Sequence, residues 1–519
     1  MNAHEDTIPP VAPDDELVEL DVPGAATDER PGRFRCTDLG NAERLLARHG
    51  TDLRYVGDAK TWLWWNQDAG VWEVDKAGLR VQRLAQDVAR AITAEASQAE
   101  ADATAARRAG NDERAGALES YAEALAKWGP RSEDAGRTKA MIGQAQCREG
   151  VPVLADDLDA DPFLFVLEGG VTVEIRDEVV VRESRREDLC TKRSPVKHEW
   201  NATHFEWDRF LLNAMRGDVE LVSYLQRVFG YCLTADVSEQ CFFFCYGPKG
   251  RNGKGTFLRI LGALLGPHNV AMPPDLLIET FGTRHPVEIA RLKGARTVIG
   301  NEVKPGSRWN EARLKELTGA DRVGQRAMHE NFSDAKPTWK LWLSAQERPI
   351  ASSSDEALWR RMHIIPWDNH IEEAADDHDL YHRLAAELPG ILAWAIEGAQ
   401  AWKRGGLQPP EAVKAAKADY RRTSDYIAQF IEDTCEVGGG KGVTSRVTTL
   451  YSAYTAWCKR EGHHPIASNK FSGELHRRGY EATPALPRQA GVGRAGVYGL
   501  QIDPRIVDSD EDRGTRWFG

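Results

Sequence analysis

At 519 residues, 41% hydrophobic and 28% charged, the chain can bury several cores, and its length predicts roughly three or four domains. Nothing approaches an unbroken apolar run of membrane-spanning length and the N-terminus (MNAHEDTIPPVAPDDELVEL) has no signal-peptide core, so the expectation is a soluble, cytoplasmic protein with no membrane partner. The net charge of -12 is unevenly spread: residues 1–35 hold nine acids against three arginines, whereas residues 440–500 hold nine Lys and Arg against three acids, a local surplus that can attract phosphate backbones.

In chain order, residues 1–35 read as a disordered acidic tail punctuated by prolines. Residues 36–150 read as a helix, a Trp-rich β element (WLWWNQDAGVWEV) and two long helices between Leu79 and Trp128 that turn back near Gly110-Asn111. Trp62, Trp64, Trp65 and Trp72 could stack on bases, but a core and hairpin role is the better reading. Residues 151–235 read as a hairpin around Gly169-Gly170 and then two amphipathic helices broken at Arg216-Gly217, the makings of a helical collar. The eight cysteines form no Cys-x-x-Cys and read as free thiols.

The chemistry begins at Cys241–Leu258 (CFFFCYGPKGRNGKGTFL), an apolar strand entering a glycine-rich turn and then a helix. Such a loop points successive backbone N–H groups at phosphate oxygens while the lysine carries charge to them. The expected nucleotide-binding set is Gly247, Gly250, Asn252, Gly253, Lys254, Gly255, Thr256 and Phe257. Pro248 stands where the first glycine is usual, so the loop either starts at Gly247 or depends on Gly250. Gly255 also displaces the hydroxyl residue, so Thr256 or water must serve the Mg²⁺ that accompanies ATP.

Downstream, the strand RTVI ends in Gly300-Asn301-Glu302, and a carboxylate there can orient Mg²⁺ or polarise water. The strand WKLWL leads to Gln346, a candidate γ-phosphate sensor, and Arg360 and Arg361 in ALWRRMHIIPW are candidates for an arginine finger. Residues 236–420 are therefore read as the α/β ATPase domain. Residues 421–502 read as three helices followed by strand, Gly/Arg-rich turn and strand, a winged-helix pattern that places Lys470, Arg477 and Arg478 on a recognition helix and Arg488 and Arg494 on the wing. A protein-binding winged helix is the alternative, and residues 503–519 close the chain as an acidic tail.

Taken together, GPKGRNGKGTFL, RTVIGNE, ARLKELTGADRVGQRAMHENF, KLWLSAQERP and ALWRRMHIIPW resemble the superfamily 3 helicase domain of phage and plasmid primase-helicases, related to the poxvirus-type primase-helicase. The likeness covers roughly residues 160–430. It implies an AAA+-like P-loop core, a homo-oligomeric ring, normally a hexamer, and ATP-driven 3′-to-5′ movement on single-stranded and forked DNA among other replication proteins. Carried onto this chain, Lys254 and Thr256 hold phosphate and metal, Glu302 is the catalytic carboxylate, Gln346 stands where asparagine is usual, and Arg360 or Arg361 is the finger. Residues 325–340, with Arg326, resemble the family's pore hairpin, with His329 and Lys336 at its tip, a solvated loop being the alternative. No zinc cluster precedes the helicase-like part, so primer synthesis is not expected. The rivals are a DNA- and ATP-binding initiator or loader without strand separation, and a small-molecule kinase, which the length and the basic C-terminal part oppose.

Overall fold

The computed structural model describes residues 34–503 apart from 200, 280–286, 304–305, 322, 326–332, 353–354, 371, 373–376, 440–442, 464 and 484–495. The chain falls into two units, the first running to Asp161 and taking in Glu168–Thr172 and Arg182–Arg193, the second holding the rest.

The first unit opens where the Thr37 hydroxyl accepts from Gly40 N (3.0 Å) and caps α1 (Asp38–His49). Strands β1 (Leu53–Val56), β2 (Thr61–Asn66) and β3 (Val71–Val74) form an antiparallel meander, followed by α2 (Leu79–Arg108), α3 (Asp112–Ser132), α4 (Ala135–Ala145) and the short β4 (Pro152–Val153), which pairs in parallel with β1. The turn expected at Gly110-Asn111 is there: Gly110 has φ +77°, and Asn111 caps α3 by accepting from Arg114 N. Buried alanines on α2, including Ala89, Ala96 and Ala103, let α3 pack closely against it. Trp62, Trp65 and Trp72 are buried, and the half-buried Trp64 is covered by the Arg80 guanidinium at 3.6 Å from its ring, so these tryptophans serve the core.

Strands β5 (Leu164–Leu167), β6 (Val171–Ile175) and β7 (Val179–Glu183) extend the expected hairpin to three strands, and their residues are divided between the two units. In the second unit α5 (Phe205–Ala214) and α6 (Val219–Cys232) are separated at Arg216 and Gly217, both with positive φ, and Asp218 caps α6. There follow β8 (Phe242–Tyr246), α7 (Lys254–Leu265), β9 (Asn269–Ala271), α8 (Val287–Ala290), β10 (Thr297–Asn301), α9 (Glu311–Leu317), the antiparallel pair β11 (Val323–Gln325) and β12 (Ser333–Ala335), β13 (Lys340–Ala345), α10 (Glu356–Arg361) and β14 (Met362–Pro366).

Strands β14, β8, β13, β10 and β9, in that order, make a five-stranded sheet in which every pairing is parallel. Both faces are covered, which is why the strands read as continuous apolar runs rather than alternating ones. Phe242, Phe244, Leu341, Leu343 and Ile364 join a core with Trp309 and Tyr420, while the Phe243 and Trp342 rings meet at a tilt with centres 4.6 Å apart and Trp342 meets Phe257 of α7.

Helices α11 (Leu380–Ala386), α12 (Leu388–Gly405) and α13 (Glu411–Thr423) follow, with α12 packed along α6. The C-terminal part holds α14 (Tyr426–Thr434), β15 (Cys435–Val437), β16 (Thr444–Arg446), α15 (Val447–Arg460), α16 (Ser468–Arg477), β17 (Gly496–Tyr498) and β18 (Leu500–Ile502) around Phe430, Tyr454, Trp457 and Phe471. Its strands pair antiparallel as β15 with β18 and β16 with β17, and the expected wing turn, with Arg488 and Arg494, lies outside the described residues. Among the described residues no helix is long and apolar enough to cross a membrane.

Candidate functional site

The parallel registers bring the ends of four strands to one edge of the sheet. Tyr246 pairs with Ala345 and with Pro366, and Ser344 pairs with Asn301, so Gly247, Gln346, Glu302 and Trp367 leave the sheet side by side. This is the carboxyl edge, where open parallel sheets hold their ligands.

At that edge Gly247–Gly253 bridges β8 to α7. The Lys254 ammonium donates to the Gly247 carbonyl (3.0 Å), and burial lowers the pKa of this lysine, partly offset by the Cys245 thiol. An anion arriving beside it would favour the charged form and oppose that lowering. Asn252 fastens the loop by donating to the Lys249 carbonyl (2.7 Å) and the Trp367 carbonyl (3.1 Å), and Trp367 N donates back to the Tyr246 carbonyl (2.7 Å). Gly253 is held at φ +88° against the Phe210 ring, which a Cβ would meet at 2.9 Å. At Gly247 a Cβ would lie 2.4 Å from both Asn252 Nδ2 and the Trp367 carbonyl. The chain is thus tightly packed where it leaves β8 at Gly247, and Pro248 next to it is exposed.

Thr256 is half-buried, one helical residue past Gly255 and so turned about 100° from it, while a Cβ on Gly255 would meet nothing within 4 Å. Phe257 faces the core between Trp207, Trp342 and Trp367 rather than the loop mouth. Gln346 is exposed, and its amide nitrogen would sit 3.7 Å from a Cβ on Gly250, directly above the loop. Glu302, also exposed, donates its N–H to the Ser344 carbonyl (3.0 Å) in a left-handed conformation (φ +60°) that turns the chain out of the sheet.

Arg360 and Arg361 are elsewhere. They end α10 immediately before Met362, which pairs with Phe242 at the opposite end of the strands, about 16 Å of strand away from the loop. Arg360 is exposed, whereas Arg361 is half-buried and donates to the Ala357 carbonyl (3.3 Å).

Of the residues expected to touch DNA, Arg326, His329 and Arg494 lie outside the described residues. Lys336 follows β12 and is exposed at the base of the β11–β12 pair, not at its tip, because Val323 pairs with Ala335, the residue just before it. Lys470 is exposed on α16, Arg477 pairs with Glu474 (2.8 Å), and Arg478 is held by Asp425 (2.6 Å).

Three contributors were missed in the sequence. His370 Nδ1 faces the Gly250 carbonyl at 2.9 Å, Trp367 closes the loop from below, and Arg348 lies over Tyr246, the last residue before the loop, at 4.4 Å. Only Trp367 had a signal, as the end of an apolar strand running parallel to β8.

Comparison with known proteins agrees with the resemblance. Residues 42–216 match the family described as D5 N terminal like, residues 245–361 a family of unknown function, and residues 422–478 the family described as poxvirus D5 protein-like. D5-type sequence thus flanks the segment that carries the glycine-rich loop, which agrees with the likeness to poxvirus-type primase-helicases. It is 25% identical over 331 residues to L207/L206, a candidate helicase of Acanthamoeba polyphaga mimivirus, covering 59% of this chain and 34% of the relative. It is also 25% identical over 237 residues to 022R, a candidate helicase of Frog virus 3, covering 41% and 24%. The chain therefore spans about a third of the first relative's length and about a quarter of the second's. A likeness to the apo NrS-1 C terminal region has a TM-score of 0.41 at 13% identity, covering 70% of this chain and 89% of that one.

Proposed function

We propose that the chain is the ATP-driven motor of a replicative DNA helicase of a phage or mobile element. The observation that carries this reading is the order β14-β8-β13-β10-β9, which inserts the Gln346 strand between the loop strand and the Glu302 strand. A polar amide then stands between a phosphate-holding lysine and an acid, the arrangement of an AAA+-like ATPase. Lys254 and the loop N–H groups bind the phosphates of ATP, Gln346 reads the terminal phosphate, and Glu302 orients the attacking water.

The residues present fit a nucleotide-borne Mg²⁺. Among the described residues no cluster of three or more His, Cys, Asp or Glu side chains could hold a metal alone, and Mg²⁺ delivered with phosphates needs only one or two protein oxygens. Glu302 and Thr256 are those oxygens. Bound there, the metal supplies charge neutralisation on the phosphates.

Arg360 is our choice for the finger, since it is exposed and lies too far from its own loop to act on it. It completes the site of a neighbouring copy, which requires a ring, a hexamer by family likeness. The helices α5 and α6 act as the collar, the C-terminal part is a winged helix, and Lys470 with the β11–β12 hairpin meets DNA phosphates. The 3′-to-5′ direction rests on the family likeness alone.

Unwinding of forked DNA, with and without Lys254→Ala, tests the reading. ATP-dependent strand separation abolished by the substitution is expected, and separation that survives it refutes the proposal. DNA-stimulated ATP hydrolysis without separation would favour the loader, a reading to which the glycine at position 255 and the glutamine at 346 give some support.

A further inference from the structure

We infer that Arg348 and helix α13 form a coupling strut, by which occupancy of the nucleotide loop resets the same subunit's finger helix α10. The inference rests on the nucleotide-site reading above and adds an intrasubunit route from that site to the arginines at the far end of the sheet.

Arg348 lies two residues beyond Gln346, on the segment leaving β13. Its guanidinium is held between two rings, Tyr246 at 4.4 Å and Tyr420 at 5.3 Å, and donates to Asp419 (2.7 Å) and to the Thr423 hydroxyl (3.4 Å). Tyr246 is the residue next to Gly247, whose carbonyl holds Lys254. One side chain therefore touches the base of the loop, follows the sensing residue by two positions and grips α13. A planar guanidinium suits this position because it can stack on rings and donate at its edge at once.

The other end of the strut is built from the next residues of α13. Tyr420 donates to the Pro349 carbonyl, accepts from Trp309 Nε1 (3.0 Å), and stands edge-on to Trp359 of α10 with ring centres 5.2 Å apart. Arg421 pairs with Glu356, the first residue of α10. Asp419, Tyr420 and Arg421 thus connect the loop after β13 to the helix that carries Arg360. Displacement of Gln346 toward a terminal phosphate would pull on Arg348, and a rigid helix passes the displacement to α10, whose arginine serves the neighbouring copy. In a ring this makes filling of one site a condition on catalysis at the next.

The test uses the full chain, a non-hydrolysable ATP analogue, and hydrogen exchange at the amides of residues 356–361. Wild type is expected to change protection there on binding the analogue. Arg348→Gln and Asp419→Asn are expected to bind it with an affinity within about threefold of wild type, to lose that response, and to lose about tenfold or more in ATP turnover, the size of an ordinary coupling free energy. Arg348→Lys, which keeps the charge but not the plane, should recover part of the response. The strut is refuted if wild type binds the analogue without a response in α10, or if either neutral variant binds it and responds as wild type does. Should Arg348→Gln fail to fold, Asp419→Asn alone decides. Wild type that binds no nucleotide would instead defeat the nucleotide-site reading itself.

Discussion

Gly247→Ala and Gly255→Ala are both single methyl additions to the phosphate loop, and the structure gives them opposite outcomes. At Gly247 the methyl lies 2.4 Å from Asn252 Nδ2 and 2.4 Å from the Trp367 carbonyl, on top of the 3.1 Å hydrogen bond joining them, and 3.0 Å from Lys254 Nζ. Neither partner is a flexible chain end, since Asn252 is buried and Trp367 is tied to the Tyr246 carbonyl. Overpacking of this kind costs about 1–3 kcal/mol, and the broken buried hydrogen bond about 1 kcal/mol more. If the loop must regain its shape to hold phosphate, some 3 kcal/mol corresponds to a loss of roughly 100-fold in nucleotide affinity. At Gly255 the methyl meets nothing within 4 Å, in the first turn of α7, where alanine is the better helix former by about 1 kcal/mol. Fluorescent-nucleotide titration beside thermal unfolding reads both. Gly255→Ala should bind as wild type and melt no lower, whereas Gly247→Ala should bind far more weakly. A folded Gly247→Ala protein binding within about threefold of wild type would refute this account of the loop.

Three further outcomes follow from the same geometry. Arg360→Ala should lower ATP turnover by about 10³-fold with nucleotide affinity unchanged, and mixing it with inactive Lys254→Ala should restore part of the activity; no recovery in steady-state assays of the mixture would count against a finger acting in trans. His363 is half-buried on β14 with the Tyr224 hydroxyl 2.6 Å from Nδ1, and its partial removal from water lowers its pKa from 6.5 to about 4. The unfolded chain therefore takes up a proton between pH 6.5 and 4 that the folded chain refuses, so stability falls with pH through that window by about 3 kcal/mol, and urea unfolding of His363→Gln should show a shallower acid slope. Glu387 accepts from the backbone N–H groups of Glu206 (3.0 Å) and Trp207 (2.9 Å) at the start of α5, so Glu387→Ala should cost about 1–2 kcal/mol in chemical unfolding, and an unchanged midpoint would show the cap to be idle.

Four strands of the parallel sheet, β8, β10, β13 and β14, were legible because they are short apolar runs, each followed by a polar segment or a glycine, whereas the edge strand β9 (NVA), only half-buried, gave no such signal. The turn at Gly110-Asn111 and the break at Arg216-Gly217 were legible as well, since positive φ selects residues visible in the sequence or next to one. Lys336 went to the wrong end of its hairpin because the pairing of Val323 with Ala335 depends on strand register, which the sequence alone does not reveal. The hold of Asp425 on Arg478 was equally invisible, since nothing in a row of basic residues tells which one an acid 53 positions away will take. Arg348 and Asp419, 71 residues apart, pose the same difficulty: an arginine after a strand announces nothing until the fold supplies its rings and its carboxylate.

Distance along the strands separates what one subunit can do alone from what it cannot. Lys254, Gln346 and Glu302 share an edge, and neighbouring strands are about 4.8 Å apart, so a phosphate chain and its water fit within the span from β8 to β10. Transition-state charge on the terminal phosphate still needs a cation on its open side, and α10 presents Arg360 beyond the opposite ends of those same strands. Bringing it to its own loop would require dismantling β14, whose backbone pairs with β8 along its whole length. If the proposed reading holds, hydrolysis depends on assembly, and dilution should depress turnover more steeply than it depresses nucleotide binding. A turnover per subunit that stays constant on dilution to well below the concentration of assembly would show that another cation, within the same chain, does the work assigned to Arg360.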